Sequence, residues 1–234
     1  MRANLPRGAS LGARLALALV TGAAVACGGP GASSPDPSAG PLATAEPERP
    51  RVVALGDSLT AGLGLLETQA YPAQLQARLD EHGYDVEVVN AGVSADTSAG
   101  GVRRLDWALE GNVRVLIVAL GGNDALRGLS LDDLRQNLGV IVETAQSRGI
   151  AVLLAGMEAP PNFGEDYTTR FRQVYQDLAL TYRVTFVPFL LDGVAGHPEL
   201  NQADGIHPNA EGAFRIADTL WRVLQPMVDV AVAR

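Results

Sequence analysis

Ser58, Asp204 and His207 are the residues of this chain whose types and neighbours allow nucleophilic chemistry. A serine hydroxyl attacks a carbonyl only when a base takes its proton, and a third group must hold that base in one tautomer. Ser58 follows the apolar run Arg51–Leu55 after Gly56 and Asp57, where a strand would turn toward a helix and leave the serine Oγ exposed at a sheet edge. The same position suits a serine that caps the next helix. Asp204 and His207 lie three residues apart across Gly205, just before Pro208 and Asn209, so the carboxylate can reach one imidazole nitrogen. It would favour the imidazolium formed when the serine loses its proton. Taken alone, an Asp-x-x-His pair is also a common cap or surface pair. The rival use of a histidine is metal binding, but His82 and His197, the only others, are not in a ligand-like spacing. No metal or other cofactor is expected.

Cleavage of an acyl bond also needs donors aimed at the oxygen that becomes negative. The backbone N–H of Ser58, the backbone N–H of Gly92 and the side-chain amide of Asn123 are the candidates. Each follows a different apolar run. Singly, each is as well explained as a turn residue. Asp57, next to the serine, is read as fixing the turn by hydrogen bonding. The loop Gly156–Glu165, with two prolines and Phe163, is either an acyl-pocket wall or a stiff connection. His82 is expected to cap a helix end, and His197 to lie on the loop surface or beside the substrate path. Trp107 and Trp221 fall in helical patterns and are expected to pack.

The elements that must position these residues are legible in the hydrophobic pattern. Arg51–Leu55, Val86–Val89, Val113–Leu120, Ala151–Leu154 and Val184–Val187 are rich in Val, Ile and Leu and read as strands mostly buried on both faces. Between them, Leu131, Leu134, Leu138, Ile141, Val142 and Ala145 recur at helical spacing, as do Phe171, Val174, Tyr175 and Leu178, then Ile216, Leu220 and Leu224. Alternation of this kind predicts a parallel sheet with helices on both faces, because parallel strands need crossover connections. Active residues in such sheets gather on the loops at the carboxyl ends of the strands, and the candidate residues follow strand ends.

Residues 51–234 therefore read as one α/β domain. Residues 1–26 combine Arg2, Arg7 and Arg14 with an apolar stretch from Leu15 to Val20 and then small residues, which is the layout of an export signal. The stretch is too short to span a membrane as a helix, which takes roughly 20 residues. Cys27, the only cysteine, follows Ala24-Val25-Ala26 and precedes two glycines, a junction that resembles a bacterial lipoprotein signal. Lipidation of Cys27 and a periplasmic or cell-surface anchor are expected, with a soluble secreted protein as the alternative. Ala24 stands where that signal usually carries a larger aliphatic residue. Residues 27–50 are dominated by Gly, Ala, Ser and Pro and read as a flexible linker. The chain has no lysine, and its 18 arginines face 26 carboxylates, none of them before Cys27. Such an acidic body excludes nucleic-acid or anionic-lipid binding by simple electrostatics. A lone cysteine also excludes an internal disulfide.

Four segments, Gly56-Asp57-Ser58-Leu59-Thr60-Ala61-Gly62, Asn90-Ala91-Gly92, Gly121-Gly122-Asn123-Asp124 and Asp204-Gly205-Ile206-His207-Pro208-Asn209, together resemble the four sequence blocks of the GDSL, or SGNH, hydrolases, in that family's order. The resemblance spans residues 51–224. It implies a flavodoxin-like three-layer α/β/α sandwich around a central parallel five-stranded sheet, and an acyl-enzyme mechanism. By matching position, Ser58 would be the nucleophile, His207 the base, Asp204 its orienting partner, and Gly92 and Asn123 oxyanion donors beside Ser58 N–H. Asp96–Gly101, Leu126–Leu129, Pro160–Gly164 and Val187–Leu191 are similar to the bacterial arylesterase, thioesterase and lysophospholipase branch. Small ester, thioester or lysophospholipid substrates are what the resemblance implies. A polysaccharide O-deacetylase on the same fold and a non-catalytic tethered binding lipoprotein are the alternatives. The first would call for extra carbohydrate-binding aromatics, and aromatics are only 5% of the chain. The second is opposed by the intact set of Ser58, Asn123, Asp204 and His207.

Overall fold

The computed structural model describes residues 48–233. The expected export signal, Cys27 and most of the expected linker lie outside the described residues. Of the linker's last residues, Arg49 already pairs with Asp85 at 2.8 Å, and the Glu48 carbonyl accepts from Asn112 Nδ2. Contacts with the domain thus begin slightly before residue 51.

Five strands form one parallel sheet: β1 (Arg51–Gly56), β2 (Glu87–Gly92), β3 (Val113–Ala119), β4 (Ala151–Ala155) and β5 (Thr185–Val187), in the order β2-β1-β3-β4-β5. Each begins within one residue of its sequence-based span, since runs of β-branched and leucine side chains suit a sheet covered on both faces, but β2 runs three residues beyond the expected Val89, through Asn90 to Gly92. Burial on both faces holds at the centre, where Val115, Leu116, Ile117 and Val118 are fully buried. It does not hold for β2, an edge strand that is only partly covered apart from Ala91. A strand with one neighbour has less protein above and below it, so its apolar run overstates its burial.

The helices close two layers. Helix α2 (Tyr71–Glu81) packs on α8 (Ala210–Val232), which lies against β3, β4 and β5. On the other side α6 (Leu131–Ser147) packs on α3 (Ser98–Arg103) and α7 (Glu165–Tyr182). The apolar positions read at helical spacing in the sequence are the ones buried in α6, α7 and α8. Three short helices, α1 (Ser58–Ala61), α4 (Leu105–Ala108) and α5 (Gly122–Leu126), complete the set. Among the described residues no buried side-chain polar atom lacks a hydrogen-bond partner, and no helix is long and apolar enough to cross a membrane. Trp221 packs partly buried against the core, but Trp107 is 60% exposed. The short α4 that carries Trp107 has too few turns to bury a full face.

The topology creates the site. The chain leaves β1 toward β2 on one side and returns to β3 on the other, so strand order reverses at β1 and a crevice opens between the exits of β1 and β3. The end of β2 is pressed onto α1: a Cβ at Gly92 would lie 2.2 Å from Ala61 N and 2.7 Å from Ala61 Cα. Because that neighbour is backbone, it cannot rotate away. Gly92→Ala should therefore cost about 1–3 kcal/mol through overpacking, seen as a lower urea midpoint with an unchanged slope.

Candidate active site

Ser58 is the first residue of α1, with one residue, Asp57, between it and the end of β1. The N–H groups of a helix's first turn have no carbonyl partner within the helix, which leaves Ser58 N–H available at a residue that lines the cavity. Helix α1 is capped by Asp57, whose carboxylate accepts from Leu59 N–H at 3.0 Å. Ser58 is thus not the cap. Its hydroxyl lies 2.9 Å from His207 Nε2, and His207 Nδ1 lies 2.7 Å from Asp204 Oδ2. A carboxylate only accepts, so Nδ1 carries the ring proton and Nε2 presents a lone pair to the Ser58 hydroxyl. The serine, histidine and aspartate read from the sequence are one continuous hydrogen-bonded chain.

The loop that carries Asp204 and His207 is fixed by its own backbone. Gly205 adopts φ +74°, which lets the chain fold back so that Asp204 Oδ1 accepts from both Ile206 and His207 N–H at 3.0 Å. Those bonds, His207 N–H foremost, and the imidazole hold the Asp204 carboxyl down to about 2. Gln202 ties the loop to the nucleophile's side. Its Nε2 donates to Leu63 O at 2.7 Å and Pro208 O at 2.9 Å.

Asn123 sits on α5 at the exit of β3, lines the same cavity as Ser58 and His207, and donates from Nδ2 to Asp57 Oδ2 at 3.3 Å. Its neighbour Asp124 is buried and accepts from Ser98 N–H at 2.8 Å and Ser98 Oγ at 2.6 Å, which docks α5 onto α3. Asp57 is also buried, and desolvation pushes its carboxyl up to about 6, opposed by its bonds from Leu59 and Asn123.

Gly92 is the residue that the structure places differently. It does not line the cavity, and its N–H donates to Asn90 Oδ1 at 3.0 Å. The sequence signal was sound in kind, since close backbone approach is what requires glycine there. What approaches is the backbone of Thr60 and Ala61, not substrate. From that strand exit it is Ser94 and Ala95 that reach the cavity. Ala95 holds φ +65°, a conformation that alanine rarely adopts. Two cations stabilise the turn: Arg127 donates to Ala95 O at 2.6 Å, and Arg104 pairs with Asp96 at 2.7 Å. Arg104 also donates to Ala91 O and Gly56 O, which joins the exits of β1 and β2.

The cavity is about 610 Å³, a size suited to a small ligand. Leu63, Leu126, Met157, Ala159, Phe189, Leu191 and Ile206 give it a largely apolar wall. Met157 through Pro161 contribute, so the Gly156–Glu165 loop is a wall over its first half. Phe163 instead joins a row of rings with Tyr167 and Phe171. Glu158 also faces the cavity and pairs with Arg172 at 3.2 Å. His197 is exposed beside Glu199 and outside the wall, and His82 caps the end of α2 through Arg78 O. Sequence reasoning missed Arg104, Arg127, Gln202 and the Ala95 turn. The Asp96–Gly101 block beside the turn and the Leu126–Leu129 block that contains Arg127 carried the available signal, without assigning these residues a task.

Residues 54–213 match the GDSL-like lipase/acylhydrolase family. The chain is 42% identical over 188 residues to Esterase TesA of Pseudomonas aeruginosa, covering 80% of this chain and 94% of that protein. It is 38% identical over 176 residues to the thioesterase 1/protease 1/lysophospholipase L1 of Escherichia coli K12, covering 75% of this chain and 83% of that one. Among solved structures, AlinE4, an SGNH-hydrolase family esterase, superposes with a TM-score of 0.64 at 42% identity, over 77% of this chain and 97% of that chain. The α/β sheet, the matched residues and these relatives agree: this chain belongs to the GDSL-like lipase/acylhydrolase family.

Proposed function

We propose that this protein is an exported serine hydrolase that cleaves carboxylic esters or thioesters through an acyl-enzyme on Ser58. The observation that carries this reading is the Ser58–His207–Asp204 hydrogen-bonded chain opening into an apolar cavity. His207 Nε2 takes the Ser58 proton as Oγ attacks the acyl carbonyl carbon and the carbonyl electron pair moves onto oxygen. When that pair returns, the leaving alcohol or thiol departs with the proton from His207. Water then enters, gives its proton to the same nitrogen, and releases the acid and free Ser58. Asp204 is held ionised down to about 2, so it balances the imidazolium at any working pH.

The developing oxyanion is held by Ser58 N–H, by Asn123 Nδ2 and by the N–H of Ala95, which takes the place expected of Gly92. Ala95 lines the cavity with Asn123, and Arg127 at the end of α5 anchors the turn through the Ala95 carbonyl, on the peptide that follows the N–H. The apolar wall supports an acyl group of hydrophobic character. The relatives named esterase and thioesterase/lysophospholipase fit that substrate class. Export and a lipid anchor at Cys27 belong to the same proposal, supported by the arginine-bearing apolar leader and the Ala-Cys-Gly-Gly junction.

Nitrophenyl esters of increasing acyl length test the reaction. Wild type should hydrolyse them with a burst of nitrophenol equal to the enzyme present, and Ser58→Ala should show neither burst nor turnover. Asn123→Ala should lower kcat about 10²–10³-fold. Asp204→Asn leaves His207 in the wrong tautomer and should lower kcat about 10⁴-fold, by analogy with serine proteases. A wild type without a burst, or an active Ser58→Ala, would contradict the reading. For the anchor, Cys27→Ser should move the protein from the membrane fraction to the soluble one. Unchanged membrane association would overturn lipidation.

A further inference from the structure

We propose that Asp57 is a positioning residue for the oxyanion donor Asn123: its buried carboxylate links the helix presenting Ser58 to the Asn123 side chain and fixes which end of that amide faces the cavity. The inference rests on the reading of Asn123 as an oxyanion donor, and extends it to a residue that does not itself touch the oxyanion.

Capping does not account for an aspartate here. Asp57 Oδ1 caps α1 through Leu59 N–H at 3.0 Å, a task that asparagine performs equally well. The carboxylate is 3% exposed, and the charge acting to favour its ionised form is that of His207, with no arginine contributing. Tyr71 and Tyr175 are the other titratable groups that sense it. A buried charge with so little compensation is a cost that a neutral residue would avoid. What a carboxylate offers over an amide is a second oxygen that can only accept. That oxygen, Oδ2, takes the bond from Asn123 Nδ2 at 3.3 Å.

The consequence follows from the shape of the Asn123 amide. Its nitrogen carries two hydrogens, and one is directed at Asp57. The same nitrogen therefore offers the other hydrogen to the cavity. If the amide turned over, its carbonyl oxygen would face both the Asp57 carboxylate and the substrate oxyanion, and would repel each. Asp57 selects the catalytic orientation before substrate arrives, so no reorganisation is needed as charge develops.

Asp57→Asn separates this role from capping. The new side chain keeps an oxygen for Leu59 N–H but sets its own NH₂ against the NH₂ of Asn123, and the clash of donors turns the Asn123 amide over. We expect kcat for a short nitrophenyl ester to fall about 10²–10³-fold, as for loss of an oxyanion donor, with KM close to wild type. The effects should not multiply: Asp57→Asn/Asn123→Ala should be no slower than Asn123→Ala alone. Stability should move the other way. A carboxyl raised to about 6 by burial stabilises the fold fully below its unfolded value of about 3.9, and that contribution is lost as pH rises through 6. Replacing it removes the loss, so Tm at pH 7 should be equal to or above that of wild type.

If Asn123→Ala is slow while Asp57→Asn retains wild-type kcat, or if the two losses multiply, the positioning role is overturned and the donor reading of Asn123 survives. If Asn123→Ala retains wild-type kcat, the donor reading fails and takes this inference with it. Should Asp57→Asn not fold, Asp57→Ser carries the same test. It keeps a capping oxygen and removes the acceptor facing Asn123, so kcat should again fall without a change in KM and without multiplying the Asn123→Ala loss.

Discussion

The 2.9 Å contact between Ser58 Oγ and His207 Nε2 joins residues 149 positions apart in the chain, and the rest of the domain serves to make it. Two segments that remote meet only if each is rigidly placed at the same sheet edge. Parallel strands do this by directing successive exits to one end, and the reversal of strand order at β1 opens the gap in which the serine stands. The histidine arrives by a different device. Its loop follows the short edge strand β5, and Gln202, Gly205 and the self-bonded Asp204 turn hold it against the exit of α1.

Charge is arranged to the same end. Asp204 is solvent-facing and held ionised by backbone donors, whereas Asp57 is buried and biased toward its neutral form by desolvation. Both carboxylates sense His207, and their different environments separate their behaviour. Arg104 and Arg127 act at one remove, by holding carbonyls at the strand exits so that the backbone between them keeps its shape.

Much of this was legible in the sequence. The five strands and the α6, α7 and α8 faces follow from apolar periodicity, because burial is what that periodicity records. Ser58, Asn123, Asp204 and His207 were legible because the chemistry proposed for them resides in their side chains, whose types the sequence records. Gly92 was misread because its requirement for glycine shows only that something approaches closely. Whether that is a substrate or the backbone of α1 is a tertiary fact. Ala95 gave no signal, since a backbone N–H belongs to no residue type and alanine is an unusual host for a positive φ. Arg104 and Gln202 bond to carbonyls, and a carbonyl partner leaves no mark at any particular spacing. Trp107 shows the converse error, a helical pattern too short to bury what it carries.

In the proposed reaction the acyl group is carried on Ser58 Oγ. Reaction of the purified protein with an organophosphonate, followed by peptide mapping by mass spectrometry, tests it directly. One adduct per chain is expected, on Ser58, and none when His207 is replaced by alanine. An adduct on any other residue, or a fully active enzyme that forms none, would contradict it.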